Sequence, residues 1–474
     1  MMIALKKKVN KIFKEAAANN VLTCRLFLQF CWKLFGGKLM GHLGPKELYQ
    51  KLGGTIDSLG TRVPRNETLY KILKELYTPE EAGVVSSMPY GLATLDRISI
   101  ITGLEQERLK KILEGLAQKG LVMDIWANDA YQYMPSPMVI GIFEFTMMRT
   151  RGNLEYKKWA TLFNEYLTGD FFDLNHGDGQ TISIMRSIPH SGSIEETEYT
   201  EVLDYEKAES IIRDHELFSI GICSCRHKKK HAGTKTCDMP LNTCSAFGYA
   251  ADYWIRNKLA KKVSRTEMLE NIARSRELGL AFCGDNVKNN VTFICHCCKC
   301  CCVALSGISK YGYANAVATS NYIAHCHDEK CTGCGKCAAA CPIDVIEMRP
   351  VQRPGPKRRM EPVIDAGFCL GCGVCSVKCP KGAMKLTSRK TRVLHPENVF
   401  EKVILRSLEN GTLQNIIFDN PESVTQQFMR GFIGGFLRVP IVKKNLMSEQ
   451  LRSHFLDFMK KSATLQGKEW VFKL

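Results

Sequence analysis

Apolar residues recur at helical spacing from Asn66 onward, where Leu69, Ile72, Leu73 and Leu76 form one stripe. Thr78-Pro79-Glu80-Glu81 then reads as a fresh helix start, a cap residue followed by proline and two acids. A helix around Leu95, Ile98 and Ile101 breaks at Thr102-Gly103, and another carrying Leu109, Ile112, Leu113 and Leu116 ends at Gly120. The runs LVMDIWA and AYQYM follow on either side of Asn128-Asp129, which predicts a hairpin.

The flanks are less regular. Residues 138–215 read as mixed α/β structure with aromatic helices around Trp159, Phe163, Tyr166 and Phe171. Beyond 385, VFEKVILRSLENG and MRGFIGGFLRVPIVKK predict amphipathic helices packed on the core. Residues 1–60 form a basic amphipathic leader with Leu26, Phe27, Phe30, Trp32 and Leu34, read as a helix packed on the rest of the protein. The other reading is peripheral contact with a membrane surface. Its apolar stretch, Val21 to Phe35, is interrupted by Arg25 and Lys33, too short and too charged to span a bilayer.

Three helices and a hairpin describe a winged helix, and residues 61–137 resemble that family. The resemblance implies DNA binding through the last helix before the hairpin. On that helix, however, Glu105, Glu107 and Glu114 offset Arg108, Lys110, Lys111 and Lys119. A near-neutral surface of this kind favours protein docking over DNA.

Composition sharpens the picture in two places, with 22 cysteines and a formal charge of +17. Only Cys24 and Cys31 lie outside the stretch from Cys223 to Cys379, so the centre of the chain is cysteine-rich and the flanks are not. A disulfide scaffold suits a small secreted domain, whereas this chain is large and its start shows no secretory signal. A cytoplasmic setting, with contact at the inner membrane face as the variant reading, is the expectation. A hydrophobic fraction of 45% is ordinary for a soluble protein and calls for neither a membrane bundle nor wholesale disorder.

The sharpest motif is CTGCGKCAAACP, with Cys331, Cys334, Cys337 and Cys341 at C-x2-C-x2-C-x3-C and Pro342 after the last. It recurs as CLGCGVCSVKCP, with Cys369, Cys372, Cys375, Cys379 and Pro380. Each first trio wraps a glycine-bearing loop that can aim three thiolates at three corners of one iron–sulfur cube. Paired zinc sites are the alternative, although zinc motifs usually separate their pairs by a longer loop. Spacing and duplication resemble the bacterial two-cluster [4Fe-4S] ferredoxin family over residues 329–385. The resemblance implies crossed ligation: Cys331, Cys334, Cys337 and Cys379 for one cluster, Cys369, Cys372, Cys375 and Cys341 for the other. The insert EMRPVQRPGPKRRMEP departs from that family and reads as a loop. Its Arg353, Lys357, Arg358 and Arg359 would give it a positive face for an acidic redox partner.

Upstream, Cys223, Cys225, Cys237 and Cys244 follow the strand-like FSIGIC and can close one metal site, an additional iron–sulfur cluster first and zinc second. Arg226 and His227 beside them would lower thiol pKa values and offset cluster charge. The run ICHCCKCCCV adds Cys295, Cys297, Cys298, Cys300, Cys301 and Cys302. Successive side chains of a helix or strand point in different directions, so these thiols should divide between sites. His296 is an outside ligand candidate, and Cys283 and Cys326 are read as buried thiols. With the winged-helix-like segment ahead, this order of motifs looks like iron–sulfur proteins of anaerobic bacteria, which implies anaerobic redox metabolism.

No G-x-G-x-x-G after a strand, no phosphate-binding G-x4-G-K-[ST] loop and no H-E-x-x-H pair is present. His176, His190 and His395 stand alone. The expected class is an α+β multidomain chain: leader 1–60, winged-helix-like domain 61–137, mixed α/β cysteine-rich domain 138–328, two-cluster ferredoxin-like module 329–385 and helical segment 386–474. The expected function is a relay of single electrons between redox partner proteins, with no catalytic residues assigned. A redox-sensing regulator that binds DNA, and an oxidoreductase working at an upstream cluster, are the alternatives.

Overall fold

Helical stripes build the first core of the computed structural model, which describes residues 44–474 except 153, 196–203, 356–357 and 474. The leader positions Leu26, Phe27, Phe30, Trp32 and Leu34 lie outside the described residues. Leu48–Leu474 form one compact unit. Helix α1 (Pro45–Asp57) and α2 (Glu67–Leu76) bury Leu52, Ile56, Leu69, Ile72 and Leu73 together. Asn66 caps α2 by accepting the Leu69 N–H at 3.0 Å. Thr78 and Glu81 form a reciprocal capping box that starts α3 (Pro79–Ser87).

After β1 (Ala93–Thr94) come α4 (Leu95–Thr102) and α5 (Gln106–Lys119), whose buried face is Leu109, Leu113 and Leu116. Strands β2 (Val122–Ala127) and β3 (Ala130–Pro135) pair across Asn128 and Asp129, whose φ values of 52° and 56° suit a type I′ turn. The sheet order is β1-β3-β2. The same core continues past residue 137. Helices α6 (Phe143–Met148), α7 (Tyr156–Tyr166) and α8 (Gly169–His176) add Phe143, Trp159, Phe163, Tyr166 and Phe171 to it.

A seven-stranded sheet forms the middle of the molecule. In chain order its parts are β4 (Met185–Ile188), α9 (Ala208–Arg213), β5 (Phe218–Ile222), α10 (Ser224–His231), β6 (Asn242–Phe247), α11 (Gly248–Arg256), β7 (Ala260–Val263), α12 (Arg265–Leu278), β8 (Ala281–Asp285), β9 (Phe293–Cys297), α13 (Val303–Ser309) and β10 (Val317–Ala318). The order is β10-β4-β8-β9-β6-β5-β7, parallel only between β10 and β4. Strand alternation sorts the side chains. One face presents Phe218, Phe247, Phe282 and Ile294 to Met268 and Ile272 of α12. The opposite face carries Cys283 on β8 and Cys295 and Cys297 on β9.

The last two sheets are two-stranded. Strand β11 (Tyr322–Cys326) is followed by α14 (Lys336–Ala340), β12 (Ile346–Gly355), β13 (Arg358–Ile364), α15 (Val374–Val377) and β14 (Met384–Ser388), and β11 pairs antiparallel with β14. The insert expected as a loop is instead the β12–β13 hairpin, with Glu347 opposite Val363 and Pro350 opposite Met360. Proline is tolerated because each strand of a two-stranded sheet is an edge, and the register shifts between Pro350 and Gly355. Lys357 and the side chains of Arg353 and Arg358 lie outside the described residues, and Arg359 is exposed.

The tail is helical, comprising α16 (Val399–Glu409), α17 (Leu413–Ile417), α18 (Val424–Leu437), α19 (Pro440–Met447) and α20 (Glu449–Leu465). It packs Ile404, Leu405, Leu408, Leu437, Leu456 and Met459 around Ile182. Glu409 accepts the Thr181 and Ile182 backbone N–H groups at 2.8 and 2.9 Å, tying α16 to the chain ahead of β4. Among the described residues no helix is long and apolar enough to cross a membrane.

Candidate metal centres

Two cavities open where the duplicated motif wraps its loops. The first is lined by Cys331, Cys334, Cys337 and Cys379, with Lys336 and Lys381 at its walls. Cys341, Cys369, Cys372 and Cys375 line the second. Each cavity thus gathers three cysteines of one motif and the last cysteine of the other. Their thiols stay apart around open space of about 340 and 330 Å³, solvent-facing volume included.

The loops can take this shape because of glycine. Gly333 sits at φ 69°, where an added Cβ would lie 2.4 Å from the Met360 carbonyl oxygen. At Gly371, φ is 65° and a Cβ would meet the Tyr322 carbonyl oxygen at 2.1 Å. No L side chain fits such sites without displacing backbone. Backbone donors also face sulfur, from Gly333 N–H to Cys331 Sγ at 3.4 Å and from Val345 N–H to Cys341 Sγ at 3.5 Å. Such N–H···S bonds stabilise a charged thiolate ligand.

The two cavities differ in exposure. Cys334 is exposed and Cys331 and Cys379 are half-buried, whereas Cys341, Cys369, Cys372 and Cys375 are all buried. The backbone N–H of Lys336 holds the Cys334 thiol below its usual range, while burial pushes the Cys375 thiol up.

The upstream cysteines regroup. Cys237 lies away from Cys223, Cys225 and Cys244, and instead joins Cys298, Cys300 and Cys301 in a compact quartet whose sulfurs all fall within 4.8 Å of one another. Cys237 is 3.9 Å from both Cys298 and Cys301, and Cys300 is 3.3 Å from Cys301. Adjacent cysteines converge here because residues 299–301 form a turn, in which neighbouring side chains need not diverge as they do in a helix or strand.

The remaining thiols form a second group. Cys223, at the end of β5 and the cap of α10, hydrogen-bonds to Cys225 and Cys244. Cys244 also contacts Cys295, Cys225 contacts Cys302, and Cys302 contacts Cys297. Hydrogen bonds from Cys225 and Cys244 hold Cys223 well below the usual thiol range against the effect of burial, with Arg226 assisting. Cys283, read from the sequence as an inert buried thiol, belongs to this group through its contact with Cys297. Only strand pairing reveals it, since nothing around AFCGD marks a ligand.

Two buried cations accompany these sulfurs. Arg226 is fully buried, donates to the His296 carbonyl at 2.8 Å and to Thr243 Oγ1, and hydrogen-bonds Cys298. Burial works against its charge, and the neighbouring sulfurs of Cys223, Cys298 and Cys244 more than restore it. Burial likewise pulls Lys228 down to about 8, opposed by Cys225 and Cys301. His296 and His227 do not join the thiols. His296 points to the other face of β9, where Nε2 meets Ser245 Oγ at 3.0 Å, and His227 turns to Met147 and His231.

Residues 330–383 match the family model of the 4Fe-4S dicluster domain. No curated protein and no solved structure matches the chain. That segment is an iron–sulfur, ferredoxin-like module, and its match coincides with the stretch whose two cavities are each lined by four cysteines.

Proposed function

We propose that this chain relays single electrons between redox partner proteins in anaerobic metabolism. The observation that carries the reading is the pair of four-cysteine cavities, each completed by the last cysteine of the opposite motif. Cys331, Cys334, Cys337 and Cys379 would hold the outer [4Fe-4S] cluster, and Cys369, Cys372, Cys375 and Cys341 the inner one. Bound clusters supply a one-electron couple whose potential depends on charge, hydrogen bonding and solvent access. The residues supply the rest. The buried inner thiols exclude water, the exposed Cys334 end offers a point of entry, and Lys336 and Lys381 beside it suit an acidic partner.

The α4–α5 and β2–β3 region reads as a winged-helix-like docking module. Of the four cations on α5, Arg108 pairs with Glu80 and Lys119 with Glu81, which leaves little positive surface for a DNA backbone. Trp126 stays exposed at the hairpin, packed edge-on to Tyr131. Such an aromatic tip suits a protein partner.

At the upstream thiols, at least one further iron–sulfur cluster is proposed. The compact quartet supports a second reading for that position alone. Zinc bound by four sulfurs in a tetrahedron places them about 3.8 Å apart; four of the six quartet spacings run from 3.3 to 4.0 Å, and all six fall within 4.8 Å. We therefore assign Cys237, Cys298, Cys300 and Cys301 to a single tetrahedral ion.

Anaerobically purified protein tests the relay reading. About eight irons with matching acid-labile sulfide should belong to the ferredoxin-like module, and dithionite should convert them to a paramagnetic form that reduces an external one-electron acceptor. Zinc without labile sulfide at those eight cysteines would refute it.

A further inference from the structure

The row of thiols on the central sheet continues to the wall of the inner ferredoxin-like cavity. Cys283 on β8 stands directly opposite Cys295 on β9, and residues so paired place their Cβ atoms roughly 5 Å apart. Cys244 of β6 contacts Cys295 from the other side. Three adjacent strands therefore present a line of cysteines on one face. Cys297, two residues along β9, reaches both Cys283 and Cys302. Followed from sulfur to sulfur, the contacts run Cys283, Cys297, Cys302, Cys225, Cys223, Cys244 and Cys295, and the register of β8 and β9 returns the path to Cys283.

We propose that these seven thiols enclose one further iron–sulfur centre of at least four irons, separate from the quartet, and that Cys283 couples it to the inner ferredoxin-like cluster. Resting on the relay reading, the proposal extends it with a third redox station. Three observations bear on it independently. Seven thiols linked in successive pairs exceed the four that one cube needs, so the group is not short of ligands after Cys237 leaves it.

Secondly, Arg226 is fully buried beside the sulfurs of Cys223, Cys244 and Cys298 and has no carboxylate ion-pair partner among the described residues. A buried guanidinium without an anion is strongly unfavourable, so this arrangement suits a neighbouring metal centre of net negative charge. Thirdly, Cys283, Cys297 and Cys302 share one buried cluster with Cys341, Cys369, Cys372 and Cys375, and Cys283 feels Cys372 electrostatically. The quartet packs apart from them, with Leu280 and Met239. In the proposed step, one electron from an external one-electron reductant enters at the Cys334 end. It reaches the inner cluster and then the ring, the inner cluster being reoxidised as the ring centre is reduced, with no bond made or broken.

The full chain, prepared anaerobically, allows the test. Wild-type protein should hold about twelve or more irons with matching sulfide, plus one zinc. A Cys223→Ser, Cys302→Ser double variant should lose at least four irons and keep about eight, while a Cys298→Ala, Cys301→Ala variant should lose the zinc and no iron. In fully reduced wild type, the spectrum of the inner cluster should show coupling to a second neighbouring spin besides that of the outer cluster, and the first double variant should retain only the coupling to the outer cluster. About eight irons in the wild type overturns the proposal even if the variant fails to fold, and so does iron loss confined to the Cys298, Cys301 variant. A protein with no labile sulfide at all would instead remove the relay reading itself.

Discussion

At the level of single residues, the ferredoxin-like loops depend on positions where a side chain has nowhere to go. A Cβ on residue 371 would meet both the Tyr322 carbonyl oxygen and Ser320 Oγ, at 2.1 and 2.3 Å, and the φ of 65° is itself unfavourable for an L residue. Gly371→Ala should therefore displace the loop that carries Cys369 and Cys372. The expected outcome is loss of about four irons from the inner cavity, with the outer cavity still loaded, read by iron assay and the paramagnetic spectrum. Arg226 makes the complementary case, in which charge rather than space is decisive. Arg226→Met keeps length and removes the cation between Cys223, Cys244 and Cys298. Loss of one partner from a buried charged set costs roughly 3–5 kcal/mol, so upstream metal content should fall severalfold while the eight ferredoxin irons remain. Unchanged upstream metal would mean that Arg226 serves the fold and not the sulfurs.

Elements show where the sequence was informative and where it was silent. Helices α2 to α5 and the β2–β3 hairpin were legible because capping residues, turn residues and apolar spacing act locally, as Thr78 with Glu81 and Asn128 with Asp129 show. Both cavities were legible too, since a short fixed spacing brings three thiols together before any long-range contact forms. The upstream grouping was not. Cys237 meets Cys298 across 61 residues, and Cys283 meets Cys295 only because β8 and β9 pair, so both depend on a register that no local spacing encodes. Prolines made the insert read as a loop, and edge pairing overrode them. Helix α18 is a further case, its amphipathic pattern predicting packing while Phe428, Phe432 and Phe436 remain 72%, 68% and 58% exposed. Because these three contribute little to the core, replacing them together by serine should change chemical-denaturation stability by no more than about 0.5 kcal/mol per site. A loss of several kcal/mol would show that the face is covered in solution.

Across the whole molecule, the cysteines run from one exposed end to another through a buried middle. Cys334 is exposed, the inner cavity and Cys283 are buried, and the quartet returns to partial exposure at Cys237 and Cys300. An interior that holds Arg186, Arg226 and Arg406 fully or nearly buried cannot easily accept more positive charge. Its histidines reflect this. Burial, reinforced by Arg406, pulls His176 down to about 3, and burial with Arg186 does the same to His395. Neither lies in the metal centres; His395 donates through Nδ1 to Asn286 Oδ1 at 2.7 Å. Both stay neutral in the fold, whereas in the unfolded chain each titrates near 6.5. As pH falls below about 6.5 the unfolded state takes up protons that the folded state refuses, so stability is lost progressively until the folded value is reached. At pH 5.5 the loss is about 1.4 kcal/mol for each histidine, a large part of the roughly 5–15 kcal/mol that holds a typical domain together. Denaturant unfolding at pH 7.5 and 5.5 should show this loss in the wild type. A His176→Gln, His395→Asn variant should lose about 3 kcal/mol less between the two pH values. Because acid attacks bound clusters in both proteins alike, the difference between them isolates the histidines, and parallel losses would assign the acid sensitivity to the metal centres alone.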